Sequence, residues 1–236
     1  MSSMRLDKYL SNSTSESRSR IKEILKNGRV KVNGITVKNA DTKVDPGNDE
    51  ILMDSVRINY EEFRYFMLNK PEGCVSAVKD NLSDTVLDIL AGENTKDLFP
   101  VGRLDKDSEG LLLITNDGAL SHNLLSPSKH VDKEYEVILD KELSEEDRVL
   151  IENGIDIGDE KPTLPAKVLK RDNCHALITL HEGRFHQVKR MFAAAGYEVK
   201  YLKRIAMGPL KLDESLKPGE YRRLTEEEIR ELGERR

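Results

Sequence analysis

The most constraining segment of the sequence is a charged turn that leads directly into an apolar run. Residues 101–115 read VGRLDKDSEGLLLIT, with five charged side chains between Val101 and the apolar run 111–114. A buried strand does not accept five charges in so short a stretch, and a surface loop does not need such an apolar continuation. The segment therefore predicts a polar loop that is held in place by a strand entering a core.

The sequence on both sides of this loop alternates between short strands and short helices. The predicted strands read RYFMLNK, LLLIT, KEYEVIL, AKVLK and HALITL, and the predicted helices read TVLDILAG, LSEEDRVLIENG and FHQVKRMFAAAG. Most of these segments follow one another through short turns, which favours antiparallel pairing. We therefore predict an α+β domain, with helices packed against a mainly antiparallel mixed sheet.

The N-terminal residues form a smaller pattern of helix, helix and hairpin. Two helices are predicted by apolar residues at helical spacing: Leu6, Tyr9 and Leu10, then Ile21, Ile24 and Leu25. Either Ser17 or a capping box of Ser13 with Glu16 can begin the second helix. Asn33-Gly34 supplies the two positive φ angles of a type I′ hairpin turn. The pattern predicts a compact module over residues 1–58, a linker over 59–63 and a larger domain over 64–236.

The charge of the chain is unevenly distributed. Residues 1–43 carry ten Lys or Arg against four Asp or Glu, whereas the whole chain has a net charge of −5. A second basic stretch, residues 184–204, holds six Lys or Arg and one glutamate. Two basic regions on an acidic chain favour a nucleic acid bound at chosen places, although solvated helix faces explain charge runs equally well.

Composition excludes several classes of protein. No apolar run reaches the ~20 residues of a membrane span, and we expect no membrane partner. Two cysteines, Cys74 and Cys174, give no disulfide framework, which favours a reducing cytoplasm. The phosphate-binding glycine motifs are absent, and the spacing of His181, His186 and Cys174 matches no zinc pattern. We therefore predict no cofactor and no metal.

The residue with the clearest chemical potential is Asp105. A carboxylate at the entry of a buried strand is held in place by the core and still reaches a cleft. It needs a nearby cation to stay ionised in a partly dry site, and Lys189 and Arg190 are the candidates. The alternatives are a local ion pair with Arg103 or Lys106, or weak Mg²⁺ binding through the D-x-D pattern.

Several segments together resemble pseudouridine synthases of the RsuA/RluB type. Four of them occur in the order of that family: RYFMLNKPEG, VGRLDKDSEGLLLITNDG, DKEYEV and ITLHEGRFHQVKRMFAAAG. The N-terminal residues resemble the small RNA-binding module shared with ribosomal protein S-four. The PGEYRRLTEEEI tail and the short length are similar to the RsuA branch, which acts on small-subunit rRNA.

The resemblance implies roles for individual residues. Asp105 corresponds to the catalytic aspartate of the family, and Tyr135 to a tyrosine that stacks on the target base and takes part in proton transfer. Lys189 occupies the position whose cation pairs with the aspartate, where many relatives have arginine. The implied substrate-binding residues are Arg103, Leu180, Arg184 and Arg190. Those of the RNA-binding module are Arg5, Arg18, Arg20, Lys22, Lys26 and Lys31. The Lys70-Pro71 pair matches a structural motif that braces the active-site strand.

The implied reaction is the isomerisation of a uridine to pseudouridine in 16S rRNA of an assembling small subunit, by a monomeric enzyme. Asp105 would either attack the ribose C1′ or remove a ribose proton, and both routes need it ionised. Three alternatives remain from the sequence: a large-subunit (23S) rRNA synthase, a non-catalytic rRNA-binding assembly factor, and a metal-dependent nuclease using Asp105 and Asp107.

Overall fold

The computed structural model describes residues 3–90, 92–126 and 129–233. The chain divides into two compact units, Met1–Arg64 with Ala91–Asp97, and Tyr65–Leu90 with Leu98–Arg236. The predicted boundaries of the module, the linker and the larger domain stay a prediction.

The first unit consists of short strands around a pair of helices. Its elements are β1 (Met4–Arg5), α1 (Leu6–Ser13), α2 (Arg18–Lys26), β2 (Val30–Val32), β3 (Ile35–Thr36), β4 (Lys43–Val44), β5 (Ile51–Met53) and β6 (Val56–Arg57). The predicted apolar faces of α1 and α2 are buried in one cluster with Val30, Val44 and Ile51. Positive φ angles at Asn33 (50°) and Gly34 (80°) turn β2 antiparallel onto β3, which confirms the predicted hairpin.

One hydrogen bond decides between the two residues predicted to begin α2, Ser17 and Ser13. The Ser17 hydroxyl accepts from the Arg20 backbone N–H at 3.2 Å and caps α2. Ser13 is instead the last residue of α1, so the proposed capping box with Glu16 is wrong.

The second unit is built on one mixed sheet. Its elements are β7 (Tyr65–Lys70), β8 (Phe99–Pro100), β9 (Glu109–Thr115), α3 (Gly118–Leu125), β10 (Lys133–Leu139), α4 (Glu145–Glu152), β11 (Lys167–Lys170), β12 (His175–Leu180), α5 (Gln187–Ala194), β13 (Val199–Met207), β14 (Leu210–Lys211), β15 (Tyr221–Arg223) and α6 (Glu226–Gly233). The described strands follow the order β11-β12-β10-β13-β9-β7-β15, with β14 on β13 and β8 on β9. Only β9 and β13 pair in parallel among these named strands, which confirms the predicted α+β class.

The apolar run of β9 is continuous because both faces of the sheet are covered. Leu112 and Ile114 pack with Val188, Met191 and Phe192 of α5. The alternate residues of β9 pack on the opposite face in a second cluster, which includes side chains of α3 and α6. Burial on both faces explains why β9 lacks the polar alternation of a half-exposed strand.

One predicted helix is wrong. The described part of the TVLDILAG segment, residues 85–90, forms tight turns with i to i+3 hydrogen bonds between Thr85 and Asp88 and between Leu87 and Leu90. The Asp88 carboxylate accepts from both the backbone N–H and the hydroxyl of Thr85, each at 2.8 Å. Side-chain hydrogen bonds to nearby backbone compete with a regular helix, and the apolar residues are buried without one.

Candidate active site

The loop that contains Asp105 enters β9 through a glycine that cannot be replaced without strain. Gly110 has φ +103°, and a Cβ at this position would lie 2.2 Å from the carbonyl oxygen of Arg204. The parallel register places Gly110 beside Arg204, so the missing side chain allows β9 and β13 to approach closely. This contact fixes the strand onto which the loop is attached.

A buried lysine holds the loop from beneath. Lys70 is fully buried, and its Nζ donates to the carbonyl oxygens of Pro71 and Asp105, each at 3.0 Å, and of Ser108 at 2.8 Å. Burial lowers the pKa of Lys70. Because the ammonium donates to carbonyls on both arms of the turn, it fixes the backbone of Asp105, in keeping with the bracing role implied for Lys70-Pro71.

Asp105 lies on the wall of a cavity of about 690 Å³. Five of the predicted site residues line it: Arg103, Asp105, Tyr135, Leu180 and Arg184. The cavity is also lined by Lys133, Phe185, His186 and Arg204. The size is that of a small-molecule site and leaves room for a whole nucleotide, and the walls are partly apolar and partly charged.

Two cationic or potentially cationic groups face the Asp105 carboxylate. His186 Nε2 lies 3.4 Å from Oδ1, and Lys189 Nζ lies 3.9 Å from Oδ2. Among the described residues, the carboxylate has no ion pair with Arg103 or Lys106, the local alternative considered from the sequence. The Asp105 side chain is 25% exposed, so these neighbours act on a partly desolvated group.

Lys189 has a closer partner than Asp105. Its Nζ lies 2.5 Å from Oδ1 of Asp107, and this hydrogen bond holds the pKa of Asp107 below its usual range. The Asp107 side chain is 64% exposed, whereas that of Asp105 is 25% exposed. The lysine therefore bridges the two carboxylates, and the assignment of Lys189 to Asp105 as its catalytic partner stays a prediction.

Strands β10 and β13 of the sheet contribute an aromatic side chain, Tyr135, and two buried cations, Lys133 and Arg204, to the cavity wall. Tyr135 on β10 is 8% exposed and lies in register with Arg204 of β13, and Lys133 pairs with Leu180 of β12. Lys133 is 7% exposed, and burial, together with the nearby charge of Arg204, lowers its pKa. Arg204 is 2% exposed and donates from Nε to the carbonyl of Leu111 at 2.8 Å.

One guanidinium nitrogen of Arg204 is left available inside the cavity wall. Nη2 is buried and has no hydrogen-bond partner in the described residues. A buried donor without a partner is costly, so such a group is usually explained by a ligand or a functional role. Arg204 and Lys133 both line the cavity, so its wall contains two cationic hydrogen-bond donors.

The remaining predicted substrate-binding arginines lie beside the site and are already paired. Arg184 contacts Glu182 at 3.0 Å and Asp159 at 3.4 Å. Arg190 contacts both oxygens of Asp159, at 2.7 and 3.1 Å, and is absent from the cavity lining. These contacts tie the 157–162 loop to the end of β12 and the start of α5, and direct RNA binding by either arginine stays a prediction.

The sequence reasoning did not single out His186, Lys133 or Arg204 as site residues. His186 was considered only for metal spacing, and Arg204 was counted only within a basic stretch. Lys133 precedes Tyr135 by two residues on a predicted strand, so period-two alternation already placed both on one face. That alternation was the available signal for Lys133.

In the first unit, the predicted RNA-binding residues are exposed. Arg18, Lys22, Lys26 and Lys31 form no ion pair within the described part of the chain. Arg20 pairs with Glu23 at 2.8 Å, and Arg5 pairs with Asp7 and Asp41. The α2 helix and the strand after it therefore carry cations that are available to an anionic partner.

The described residues contain no cluster of three or more His, Cys, Asp or Glu arranged to hold a metal ion. Among their helices, none combines the length and apolar character needed to cross a membrane.

Comparisons with known proteins define the class. The family model of RNA pseudouridylate synthase matches residues 64–194, and the model of the S4 domain matches residues 4–51. An uncharacterised RNA pseudouridine synthase of Bacillus subtilis (strain 168) is 48% identical over 236 residues, which cover 98% of this chain and 99% of the relative. The chain belongs to the RNA pseudouridylate synthase family, whose members are isomerases, and the resemblance inferred from its motifs is confirmed.

Two further relatives match along their full lengths. The ribosomal small subunit pseudouridine synthase A of Haemophilus influenzae is 40% identical over 230 residues, covering 97% of this chain and 99% of the relative. A crystal structure of a pseudouridylate synthase has a TM-score of 0.69 and 39% identity, covering 97% of this chain and 99% of that one. The similarity therefore includes both units of the chain.

Proposed function

We propose that this protein isomerises one uridine of small-subunit (16S) rRNA to pseudouridine, with Asp105 as the catalytic carboxylate. The observation that carries the proposal is the position of Asp105. Lys70 fixes Asp105 through a hydrogen bond to its backbone carbonyl. Asp105 lies on a cavity large enough for a nucleotide and has His186 and Lys189 within 4 Å. Identity to small-subunit synthases over nearly the whole chain supports the choice of rRNA.

The cavity residues divide the chemistry between them. The target uridine leaves its stack and lies against Tyr135 and Leu180, and the ribose C1′ meets Asp105. His186 and Lys189 lie within 4 Å of the Asp105 carboxylate, which either attacks C1′ or removes a ribose proton. The N1–C1′ bond breaks and uracil turns. The C5–C1′ bond then forms as the Asp105–C1′ bond breaks or, on the second route, as Asp105 returns the ribose proton. The proton at C5 is lost and N1 gains one. The reaction is an isomerisation, and the proposal needs no cofactor or metal.

Binding and chemistry fall to different parts of the chain in this proposal. Residues 1–58 act as the rRNA-binding module, 59–63 as the linker and 64–236 as the catalytic domain. The exposed cations of α2 attract RNA phosphates, which offsets the cost of turning a base out of its stack. The protein works as a monomer in the cytoplasm on rRNA of an assembling small subunit.

The direct test is to map new pseudouridines in rRNA. Immature small-subunit and large-subunit rRNA, prepared from a strain lacking the gene, are incubated with the purified full-length protein. A single new pseudouridine in small-subunit rRNA is expected. Conversion only in large-subunit rRNA would overturn the substrate assignment. Binding without conversion in either rRNA would favour an assembly factor.

A further inference from the structure

An exposed aromatic side chain stands at the rim of the catalytic cavity. Phe185 is 74% exposed, although its ring stacks on the imidazole of His186 with centroids 3.8 Å apart and an interplanar angle of 17°. One ring face is thus covered by His186 while the opposite face meets solvent. A lone exposed apolar side chain needs no explanation, but a stacked aromatic pair on an active-site rim calls for one.

The backbone holds this pair in a fixed and strained conformation. His186 has φ +46°, a left-handed conformation that costs energy for a residue with a side chain. The Phe185 carbonyl accepts from Nε of Arg190 at 2.8 Å, and Arg190 is in turn held by Asp159. The stack is therefore positioned before any ligand binds, and Arg190 acts as its support.

The surroundings of the stack favour a nucleic-acid base as the occupant. His186 Nε2 is 3.4 Å from Asp105, and Phe185, His186 and Asp105 all line one cavity, so the stacked pair belongs to the wall of the cavity in which the target nucleotide reacts. Arg103 is exposed on the same cavity and has no ion-pair partner among the described residues. Proteins bind single-stranded nucleotides with aromatic faces and cations, and the wall of this cavity contains both.

We propose that the outer face of Phe185 is a stacking subsite for the unpaired base adjacent to the target uridine, with His186 as the inner layer of the stack. The subsite rests on the proposed function and deepens it: it adds a second nucleotide to the recognition of the substrate. With this subsite, the protein should prefer a target uridine in a single strand or a loop, because a neighbouring base that is paired in a duplex cannot reach the ring of Phe185.

Substitution of Phe185 tests the subsite by kinetics. Replacing a stacking aromatic residue with alanine removes the free energy of stacking with one base. We therefore expect Phe185→Ala to lower kcat/KM about 5- to 150-fold on RNA carrying the mapped target uridine. Phe185→Leu, which keeps an apolar side chain without a ring, should lose nearly as much, and Phe185→Trp should stay near the wild type. Val149→Ala is the matched control, because Val149 is exposed on α4 and lies outside the cavity lining.

An abasic substrate distinguishes stacking from a general effect of the substitution. Two substrates are used, one lacking the base 5′ to the target and one lacking the base 3′ to it. On the substrate that lacks the stacking base, the wild-type rate should fall to the rate that Phe185→Ala shows on intact RNA. The rate of Phe185→Ala should fall no further on that substrate. Equal losses for both proteins on both abasic substrates would overturn the subsite.

Fluorescence gives a readout that does not depend on turnover. The Asp105→Asn variant binds RNA in which 2-aminopurine replaces the neighbour on either side of the target. Quenching at one position that disappears in the Asp105→Asn/Phe185→Ala double variant supports stacking, and unchanged quenching overturns it. If the wild type converts no uridine in any rRNA, the proposed function fails. If it converts one and Phe185→Ala is equally active, only the subsite fails.

Discussion

The protein places cations in two environments that differ sharply. In the catalytic unit, Lys70, Lys133 and Arg204 are all less than 9% exposed, and they line the cavity or lie directly under its loop. In the first unit, Arg18 and Lys22 lie on the exposed face of α2 and form no ion pair among the described residues. Both groups carry positive charge, but one group is buried and the other is exposed to solvent.

Environment determines what each group of cations does. A buried cation cannot be screened by salt and must meet a defined acceptor, so it fixes geometry at atomic scale. An exposed cation attracts phosphates over longer distances. The resulting affinity depends strongly on salt and does not require a precise orientation of the two groups. We therefore expect changes in the cavity to affect stability and kcat, and changes on α2 to affect KM and its dependence on salt.

Among the supporting residues, Lys70 should have the largest effect. Lys70→Met leaves the carbonyls of Pro71, Asp105 and Ser108 without their buried donor. We expect a loss of about 3 kcal/mol in the free energy of unfolding. We also expect pseudouridine formation to fall at least about 100-fold, since a displaced catalytic group costs that much. Urea unfolding and single-turnover kinetics measure both, and unchanged activity would show that the loop holds its shape without the lysine.

Gly110 tests whether the approach of β9 to β13 is needed. Gly110→Ala places a Cβ 2.2 Å from the Arg204 carbonyl oxygen at φ +103°, and we expect a loss of about 3 kcal/mol in stability. Gly118→Ala is the matched control, because a Cβ there has no neighbour within 4 Å among the described residues. It should leave the thermal midpoint unchanged or slightly raised. Equal midpoints for both variants would contradict the close approach.

The exposed cations should produce a smaller effect of a different kind. In the triple variant Arg18→Gln, Lys22→Gln and Lys26→Gln, we expect KM for rRNA to rise while kcat is kept. The slope of log affinity against log salt should fall by about 2 to 3, since each phosphate contact contributes about 0.7 to 0.9. Binding titrations at several salt concentrations measure the slope. A fall in kcat at saturating RNA would show that α2 is part of the chemistry.

Removal of divalent cations should have the smallest effect. With EDTA present, we expect the wild type to convert the target uridine at an unchanged rate once the RNA is prefolded. RNA cleavage that needs Mg²⁺ would instead support the nuclease alternative. The assay compares pseudouridine yield and strand integrity in the same reaction.

The sequence predicted the sheet better than the connections between its strands. The run after Gly110 was identified as a buried strand because a continuous apolar stretch has few other structures available. The helix predicted for the TVLDIL segment is wrong because its apolar residues are buried in tight turns. Asp88 stabilises these turns by accepting hydrogen bonds from Thr85. Local side-chain hydrogen bonds of this kind leave no periodic signal.

The candidate site could be predicted where chemistry is local in sequence. Asp105 is a candidate from its position at the start of a buried strand, and its catalytic role is implied by the family resemblance. The closer contact of Lys189 with Asp107 could not be foreseen, because a helix spacing does not decide which of two nearby carboxylates a flexible lysine reaches. Arg204 joins the cavity only through the pairing of β13 with β9 and β10, which is a long-range property of the fold.

The central claim is that the half-buried carboxylate of Asp105, and not the more exposed one of Asp107, performs the reaction. The most direct measurement compares Asp105→Asn with Asp107→Asn, two isosteric changes on carboxylates that share Lys189. Pseudouridine formation at the mapped site and RNA affinity are measured for both full-length variants. The account predicts that Asp105→Asn binds RNA and forms no pseudouridine, while Asp107→Asn keeps most of its activity. Conversion of the uridine by Asp105→Asn would contradict it.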